Sequence, residues 1–356
     1  MLSSVVAQAG VWFNDLKFKI NNFDIKPAKP IIGELLDQAM QASDAGNFAL
    51  AEKILQRILI LNRDNIGALT ALSEVYLELG SISRAVRMLK RAIRLSPNEP
   101  SLYRLLSDIY FFKGRYRASA RAMQQILQLC PDEVQLEHAI DGRLGNTTPR
   151  APGQYIIGLF DEYAAIFEDN LVGVLGYKAH TELVNYLNKK VRMSEPIGVA
   201  LDLGCGTGLL GQALADQFKI STLVGVDLST NMLEHSRAKN IYQELHNVDL
   251  IAYMQQTTTN FDLIASTDVL IYIGDLDPVL AGCYRCLQPG GYLCFSVESM
   301  FWGDYKLTAS GRYKHSLSYI KSLYKKYHFS KMYSQAIDLR KESGNMVKGY
   351  LVLLQK

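Results

Sequence analysis

Glycine recurs at a fixed interval early in the chain: Gly46, Gly80 and Gly114 are 34 residues apart (80 − 46 = 34; 114 − 80 = 34). A period of that length marks repeated supersecondary units, and missing it would misread the whole fold. The neighbours keep step. Phe48, Ile82 and Tyr116 follow each glycine by two residues, Ala51, Ala85 and Ser119 by five, and Ile58, Ala92 and Ile126 by twelve. Arg63, Pro97 and Pro131 close the three units. The pattern describes a helix, a turn that glycine permits, a second helix with a small residue where the two cross, and a proline that ends it. Each helical pair has an apolar face it cannot bury alone, so successive pairs stack.

These positions resemble the tetratricopeptide repeat, in units of 32–65, 66–99 and 100–133 within a repeat region of 32–135 that follows an N-terminal segment, 1–31. The first unit departs from the pattern, with Arg63 in place of proline and Gln38 at a normally apolar position. The resemblance implies a concave surface for a protein partner, or else an appendage for stability or self-association. Residues 136–153 contain Gly142, Gly145, Asn146, Thr147, Thr148, Pro149, Pro152 and Gly153, a density of turn formers that marks a linker.

At 356 residues the chain is long enough for a second domain, placed at 154–356. Its 48% hydrophobic content lets each part bury a core without disulfide or metal staples. A formal net charge of +3 is too balanced for a general nucleic-acid binder, so no nucleic-acid partner is expected. Five scattered cysteines suit a reducing compartment. Cys283-Tyr-Arg-Cys286 is a lone CxxC without the second pair or histidines that zinc would need, so it reads as two thiols packed on one helix face, with no metal. The N-terminus lacks a basic region, its apolar stretch is broken at Asn14 and Asp15, and no apolar run is long enough to span a bilayer. The expectation is a cytoplasmic protein with no membrane partner.

Beyond a helical stretch from about Tyr155 to Lys190, short apolar runs alternate with helices: Val199–Leu203, Leu223–Val226, Phe261–Ser266 and Tyr292–Val297 read as buried strands. That alternation argues for a mostly parallel sheet covered on both faces, with ligands at the carboxyl ends of the strands. The first strand runs into Asp202-Leu203-Gly204-Cys205-Gly206-Thr207-Gly208. Alternating glycines let the chain turn sharply out of a strand and bring its backbone close to a ligand. The dinucleotide fingerprint GxGxxG would need glycine where this chain has Leu209, which counts against a nicotinamide enzyme. The second strand ends at Asp227, where a carboxylate can accept hydrogen bonds from both hydroxyls of a ribose. The competing role for Asp227 is a helix N-cap, for which Ser229 is an equal candidate.

Together these segments resemble class I S-adenosylmethionine (SAM)-dependent methyltransferases, and more closely a group of methyltransferases with tetratricopeptide repeats upstream. The resemblance rests on Phe160-Asp161-Glu162-Tyr163-Ala164, on residues 201–208, on Asp268 to Leu276, on Pro289-Gly290-Gly291, on Phe295-Ser296-Val297-Glu298, and on Ser310 to Ser316. It implies a Rossmann-like α/β domain with a seven-stranded sheet whose last strand is antiparallel. The run Ala336–Arg340, the loop with Gly344 and Asn345, and the run Gly349–Leu354 independently read as a closing hairpin. The resemblance further implies SAM as cofactor. Asp202, Gly204, Cys205, Gly206 and Gly208 would hold its methionine part, Asp227 its ribose, Leu228 and Met232 the adenine face, and Asp249 with Leu250 the adenine edge. Met232 can equally be plain core, and Asp249 a loop cap.

Methyl transfer asks the protein to align acceptor and cofactor and to exclude water. A base is needed only if the acceptor arrives protonated. Candidates around the acceptor are Tyr155 and Tyr163 before the first strand, Thr267, Asp268 and Tyr272 after the fourth, and Arg312, Tyr313 and His315 in the late insertion; Tyr163, Thr267 and Asp268 are also expected to contact SAM. His315 is the candidate base because histidine titrates near neutral pH, and an inward-facing Arg312 would fork onto an acidic acceptor. The expected activity is methylation of an unidentified small molecule. The alternatives are a protein methyltransferase that recruits its substrate through the repeats and an inactive interaction protein.

Overall fold

The computed structural model describes residues 30–164, 167–168, 173, 176–191, 196–342 and 345–356, without the side chains of Pro30, Glu162 and Tyr163. The described chain divides between Leu144 and Gly145 into two compact units.

The first unit is a helical array: α1 (Pro30–Asp44), α2 (Phe48–Leu61), α3 (Ile66–Glu78), α4 (Ile82–Leu95), α5 (Pro100–Phe112), α6 (Tyr116–Leu129) and α7 (Leu136–Leu144). Gly46, Gly80 and Gly114 turn the chain between paired helices at φ of 75°, 70° and 66°, left-handed values that cost other residues about 1–2 kcal/mol. Five residues on, Ala51, Ala85 and Ser119 are wholly buried where the helices cross, as are Ile58, Ala92 and Ile126. The presumed linker is in part helix. Leu136, Ala139 and Ile140 of α7 pack on Ala120, Met123 and Ile126 of α6 and close the end of the stack, and Gly145 ends α7 at φ 88°. Turn formers at Gly142 and beyond mark where this helix stops; they do not prevent it from forming.

The second unit is an α/β sandwich. Its elements are α8 (Gly153–Tyr163), α9 (Ala179–Lys190), β1 (Ile197–Leu203), α10 (Leu209–Gln217), β2 (Ile220–Asp227), α11 (Thr230–Ala238), β3 (Glu244–Asn247), α12 (Leu250–Gln256), β4 (Phe261–Ser266), a short 3₁₀ turn (Leu270–Tyr272), α13 (Asp277–Cys286), β5 (Leu287–Met300), β6 (Tyr305–Leu307), β7 (Tyr313–Ser316), α14 (Leu317–Lys326), β8 (Lys331–Glu342) and β9 (Asn345–Gln355). The main sheet runs β3-β2-β1-β4-β5-β9-β8, with β9 antiparallel to both neighbours. The short pair β6–β7 adds to the end of β5 through Glu298–Met300. The closing hairpin is therefore real and longer than its apolar runs suggested; Gly344 lies outside the described residues. Strand residues such as Ala200, Leu201, Ile264 and Phe295 are buried because helices cover both faces. Cys283 and Cys286 are buried on α13 against Met254.

No helix among the described residues is long and apolar enough to cross a membrane.

Candidate functional site

A cleft opens at the carboxyl ends of β1, β2 and β4, where the order of the parallel strands reverses. Its wall is shared by the turns after β1 and β2 and by the segment after β4.

One end of the cleft is built from the β1 and β2 turns. Gly204 and Gly206 sit on its wall at φ of 77° and 54°. A Cβ on Gly204 would come within 2.3 Å of Val269 Cγ2, so the turn and the segment after β4 can approach only because no side chain intervenes. A Cβ on Gly206 would meet nothing within 4 Å and would stand in the cleft itself, so the missing side chain leaves bare backbone open to a ligand. Asp227 is anchored from both sides: Oδ2 accepts the Gly206 N–H at 2.8 Å and Oδ1 the Ser229 N–H at 2.9 Å. Ser229, not Asp227, caps α11, accepting from the Met232 N–H at 3.1 Å. A carboxylate has about four acceptor positions, so after these two bonds Asp227 can still take a pair of hydroxyls. Burial raises its pKa, and the backbone donors oppose that shift. Leu228, Met232, Val248 and Leu250 supply an apolar wall.

Two expected cofactor residues are placed elsewhere. Asp202 is wholly buried off the cleft wall. Its Oδ2 accepts from the Tyr242 hydroxyl at 2.7 Å, its Oδ1 has no hydrogen-bond partner among the described residues, and burial pushes its pKa up to about 7. Gly208 also faces away, with the space for a Cβ bounded by Ser236 Oγ at 3.0 Å. Both shape the turn from behind, Asp202 against Tyr242 and Gly208 against Ser236, Lys239 and Tyr242. Asp249 reaches the wall but acts as the cap of α12, accepting from Ile251 N–H at 3.0 Å and Ala252 N–H at 3.2 Å, while its other oxygen pairs with Arg150. Despite burial, Arg150 holds the Asp249 pKa down. Cys205 lines the cleft, and burial raises its thiol pKa well above the ordinary value. The side chain of Tyr163 lies outside the described residues.

The other end of the cleft is a charged cluster that only partly matches expectation. Thr267, Asp268 and Tyr272 line it as anticipated. Asp268 adopts φ 57°, a left-handed conformation rare for a residue with a side chain. The Arg340 guanidinium holds it there, with Nη1 3.2 Å from each carboxylate oxygen, and the Asp268 N–H donates to Ser296 Oγ at 3.1 Å. Arg340 also binds Glu298, a pair 2% and 3% exposed, and lies 3.7 Å from Glu342. Glu342 accepts from Arg312 Nη1 at 2.7 Å. Burial alone would favour a neutral Arg312, but the Glu342 carboxylate keeps it firmly charged. Tyr272 sets its ring edge-on to Phe160 with centroids 5.5 Å apart, and burial raises its hydroxyl pKa.

His315 is not placed to act as a base. It is fully buried on β7, and Nε2 shares its proton with the Ile273 and Gly274 carbonyls at 2.9 and 3.0 Å. Burial lowers its pKa to about 4. Tyr313 is equally buried, bonded to the Thr148 hydroxyl at 2.6 Å, and Tyr155 is buried in α8. Residue-by-residue reading missed Arg340, Glu342, Arg150 and Phe160 as cleft residues or partners.

Comparison with known proteins agrees with this architecture. Residues 201–293 match the family model for a methyltransferase domain, and residues 42–109 match that for the tetratricopeptide repeat. The second unit carries a methyltransferase domain. Its main sheet is parallel but for the antiparallel closing strands, and the helical array before it carries the tetratricopeptide match. Similar curated proteins include ubiquinone biosynthesis O-methyltransferases of Pseudomonas putida, at 27% identity over 32% of this chain and 49% of theirs, and of Pseudomonas fluorescens, at 26% over the same shares. The chain spans about half the length of these relatives. Among solved structures, a phosphoethanolamine N-methyltransferase of Haemonchus contortus aligns at 17% identity and TM-score 0.46, covering 59% of this chain and 60% of that one. The magnesium protoporphyrin IX methyltransferase of Synechocystis aligns at 14% and 0.44, covering 57% of this chain and 97% of that one.

Proposed function

We propose that the methyltransferase domain binds SAM in this cleft and passes its methyl group to a small-molecule acceptor. The observation that carries the reading is Asp227: a carboxylate locked by two backbone N–H groups beside the bare backbone of Gly206, with acceptor positions to spare. The residues fit the cofactor. Asp227 would accept from the ribose hydroxyls, Leu228 and Met232 would pack on the adenine, and the backbone of Gly204 to Gly206 would lie along the methionine part. When bound, SAM supplies a methyl group on a positively charged sulfur that departs as a neutral thioether.

The acceptor enters at the Asp268 end. Asp268 would be the carboxylate at that end beside an acceptor that must give up a proton. Phe160 and Tyr272 offer ring faces that exclude water and orient an apolar or aromatic body. The two guanidiniums here, Arg312 and Arg340, are already committed to three carboxylates, those of Asp268, Glu298 and Glu342, with Lys314 also close to Glu342. That pairing turns the reading away from an acidic acceptor gripped by Arg312 and towards a neutral one, an alcohol, phenol or amine. The relatives named for O-methylation in ubiquinone biosynthesis suit such an acceptor. The repeats would serve a protein partner or self-association.

The test is incubation of the purified protein with methyl-labelled SAM and a cell extract, separated into protein and metabolite fractions. Label on small molecules supports the proposal; label on protein alone favours recruitment of a protein substrate through the repeats. No transfer, together with no affinity for SAM, overturns it.

A further inference from the structure

The loop between β5 and β6 presents two adjacent aromatic side chains to solvent, Phe301 at 90% and Trp302 at 87% exposure. The next most exposed large apolar residue described in this unit is Met346, at 42%. The tip is not a loose excursion. β5 pairs with β7 through Met300 and Ser316, β7 pairs back with β6, and the Ser316 N–H donates to the Asp304 carbonyl at 3.1 Å. Both stems are fixed, so ordering the tip on a partner costs little entropy. β4 ends at Ser266 opposite Phe295, and β5 continues five residues further to Met300 (300 − 295 = 5). At about 3.3 Å per residue that is roughly 16 Å of extra reach. The aromatic pair therefore projects from the same edge of the sheet that bears the cleft.

The charges beside the tip are unusual. Lys306 and Lys314 are direct partners in the β6–β7 ladder, and like charges set opposite one another destabilise a strand pair. Lys314 is near enough to Glu342 to help hold that carboxyl's pKa down, after Arg312 and Arg340. Lys306 is exposed and has no acidic partner among the described residues. The nearest opposing charge in sequence is the exposed Asp304. An external anion would relieve the lysine pair.

We propose that the Phe301–Trp302 tip inserts into the headgroup layer of an anionic membrane, with Lys306 and Lys314 against lipid phosphates. Two side chains of about 150–250 Å² each are too little for a protein interface, which needs about 800 Å² per partner. They are sufficient for interfacial anchoring, where a few aromatic and basic groups act together and tryptophan takes the boundary position. The absence of a spanning segment, the ground for expecting no membrane partner, does not bear on a surface anchor of this kind. The tip would hold the mouth of the cleft at the bilayer, where an apolar acceptor dissolves. The attachment itself is independent of the proposed activity.

The sequence contains two tryptophans, so Trp12→Phe leaves Trp302 as the reporter. Vesicles of phosphatidylcholine with one-quarter phosphatidylglycerol should move its emission to shorter wavelength, and brominated acyl chains should quench it. Phe301→Ala should weaken partitioning about tenfold, and Lys306→Glu should weaken it on the anionic vesicles but not on pure phosphatidylcholine. Co-sedimentation of the unaltered chain, lost in the Phe301→Ser, Trp302→Ser double variant, gives the same reading without the tryptophan replacement. Emission unchanged by either vesicle, with no co-sedimentation, overturns the proposal. So does a shift that follows protein concentration without lipid, since that assigns the tip to a second copy of the chain.

Discussion

The two ends of the cleft are built on opposite principles. The β1–β2 end is made mostly from backbone and apolar side chains of the turns after β1 and β2, with Asp227 held by backbone N–H groups. The Asp268 end draws on β4, β5, β7 and β8 and is held by ion pairs among residues up to 72 positions apart. A turn that offers backbone to a ligand can be encoded locally and reused whatever the acceptor. A charged wall assembled from distant strands can change with the acceptor and leave the turn untouched. Under the proposed function, the difference makes cofactor and acceptor recognition separable in this molecule.

The largest effect should come from breaking the charged end. Arg340→Met leaves Glu298 buried without its cation and frees Asp268 from its left-handed conformation, and removal of one partner from such a network costs about 3–5 kcal/mol. Denaturant melts should show that loss, while the affinity of the folded variant for S-adenosylhomocysteine (SAH), the demethylated product, stays within a few-fold of the parent. A variant that binds SAH much more weakly would show that the ends are coupled. The converse change, Asp227→Ala, removes the anchored acceptor and should weaken SAH binding about a hundredfold, consistent with roughly 1.5–3 kcal/mol for a hydrogen bond to a charged group. Calorimetry would report it.

Gly206→Ala is milder. At φ 54° an added side chain costs about 1–2 kcal/mol, and its methyl would project into the cleft. SAH affinity should fall further than stability does; equal losses would mean the ligand passes elsewhere. The smallest effect at neutral pH belongs to His315, away from both ends. Burial lowers its folded pKa to about 4, so as pH drops from 6.5 towards 4 the unfolded chain takes up a proton that the folded one refuses. Relative to His315→Gln, the parent should therefore lose stability across that window, as followed by paired thermal melts. A parent and variant with parallel pH profiles would contradict the buried neutral placement.

How much of this was legible follows from the same contrast. The 34-residue period fixed the turns at Gly46, Gly80 and Gly114 because each depends on a single residue's backbone freedom. The strand, glycine turn and Asp227 could be read because spacing alone places them. Arg340 could not. It ends an apolar run on β8, where alternation would put Leu339 and Arg340 on opposite faces, yet they are 1% and 2% exposed. A register shift between Asp338 and Arg340 explains it: the bulge turns the arginine inward, and bulges beside functional sites re-aim side chains in this way. Glu298 stood within a recognised segment, but nothing local told that its partner lay 42 residues on. His315 misled because a titratable residue type says nothing of burial, and only the fold supplied the two carbonyls that occupy its proton. The helix at Leu136–Leu144 was hidden by its own terminator, since the glycines that end it also look like a linker.

The central claim is that the turn after β1 and the carboxylate after β2 form a site for an adenosyl ligand. Titration of the intact protein with SAH, in parallel with NADH, tests it most directly. The account predicts saturable one-to-one binding of SAH, abolished or nearly so in Asp227→Ala, and no binding of NADH. Binding of NADH in preference, or SAH binding that survives loss of the Asp227 carboxylate unchanged, would contradict it.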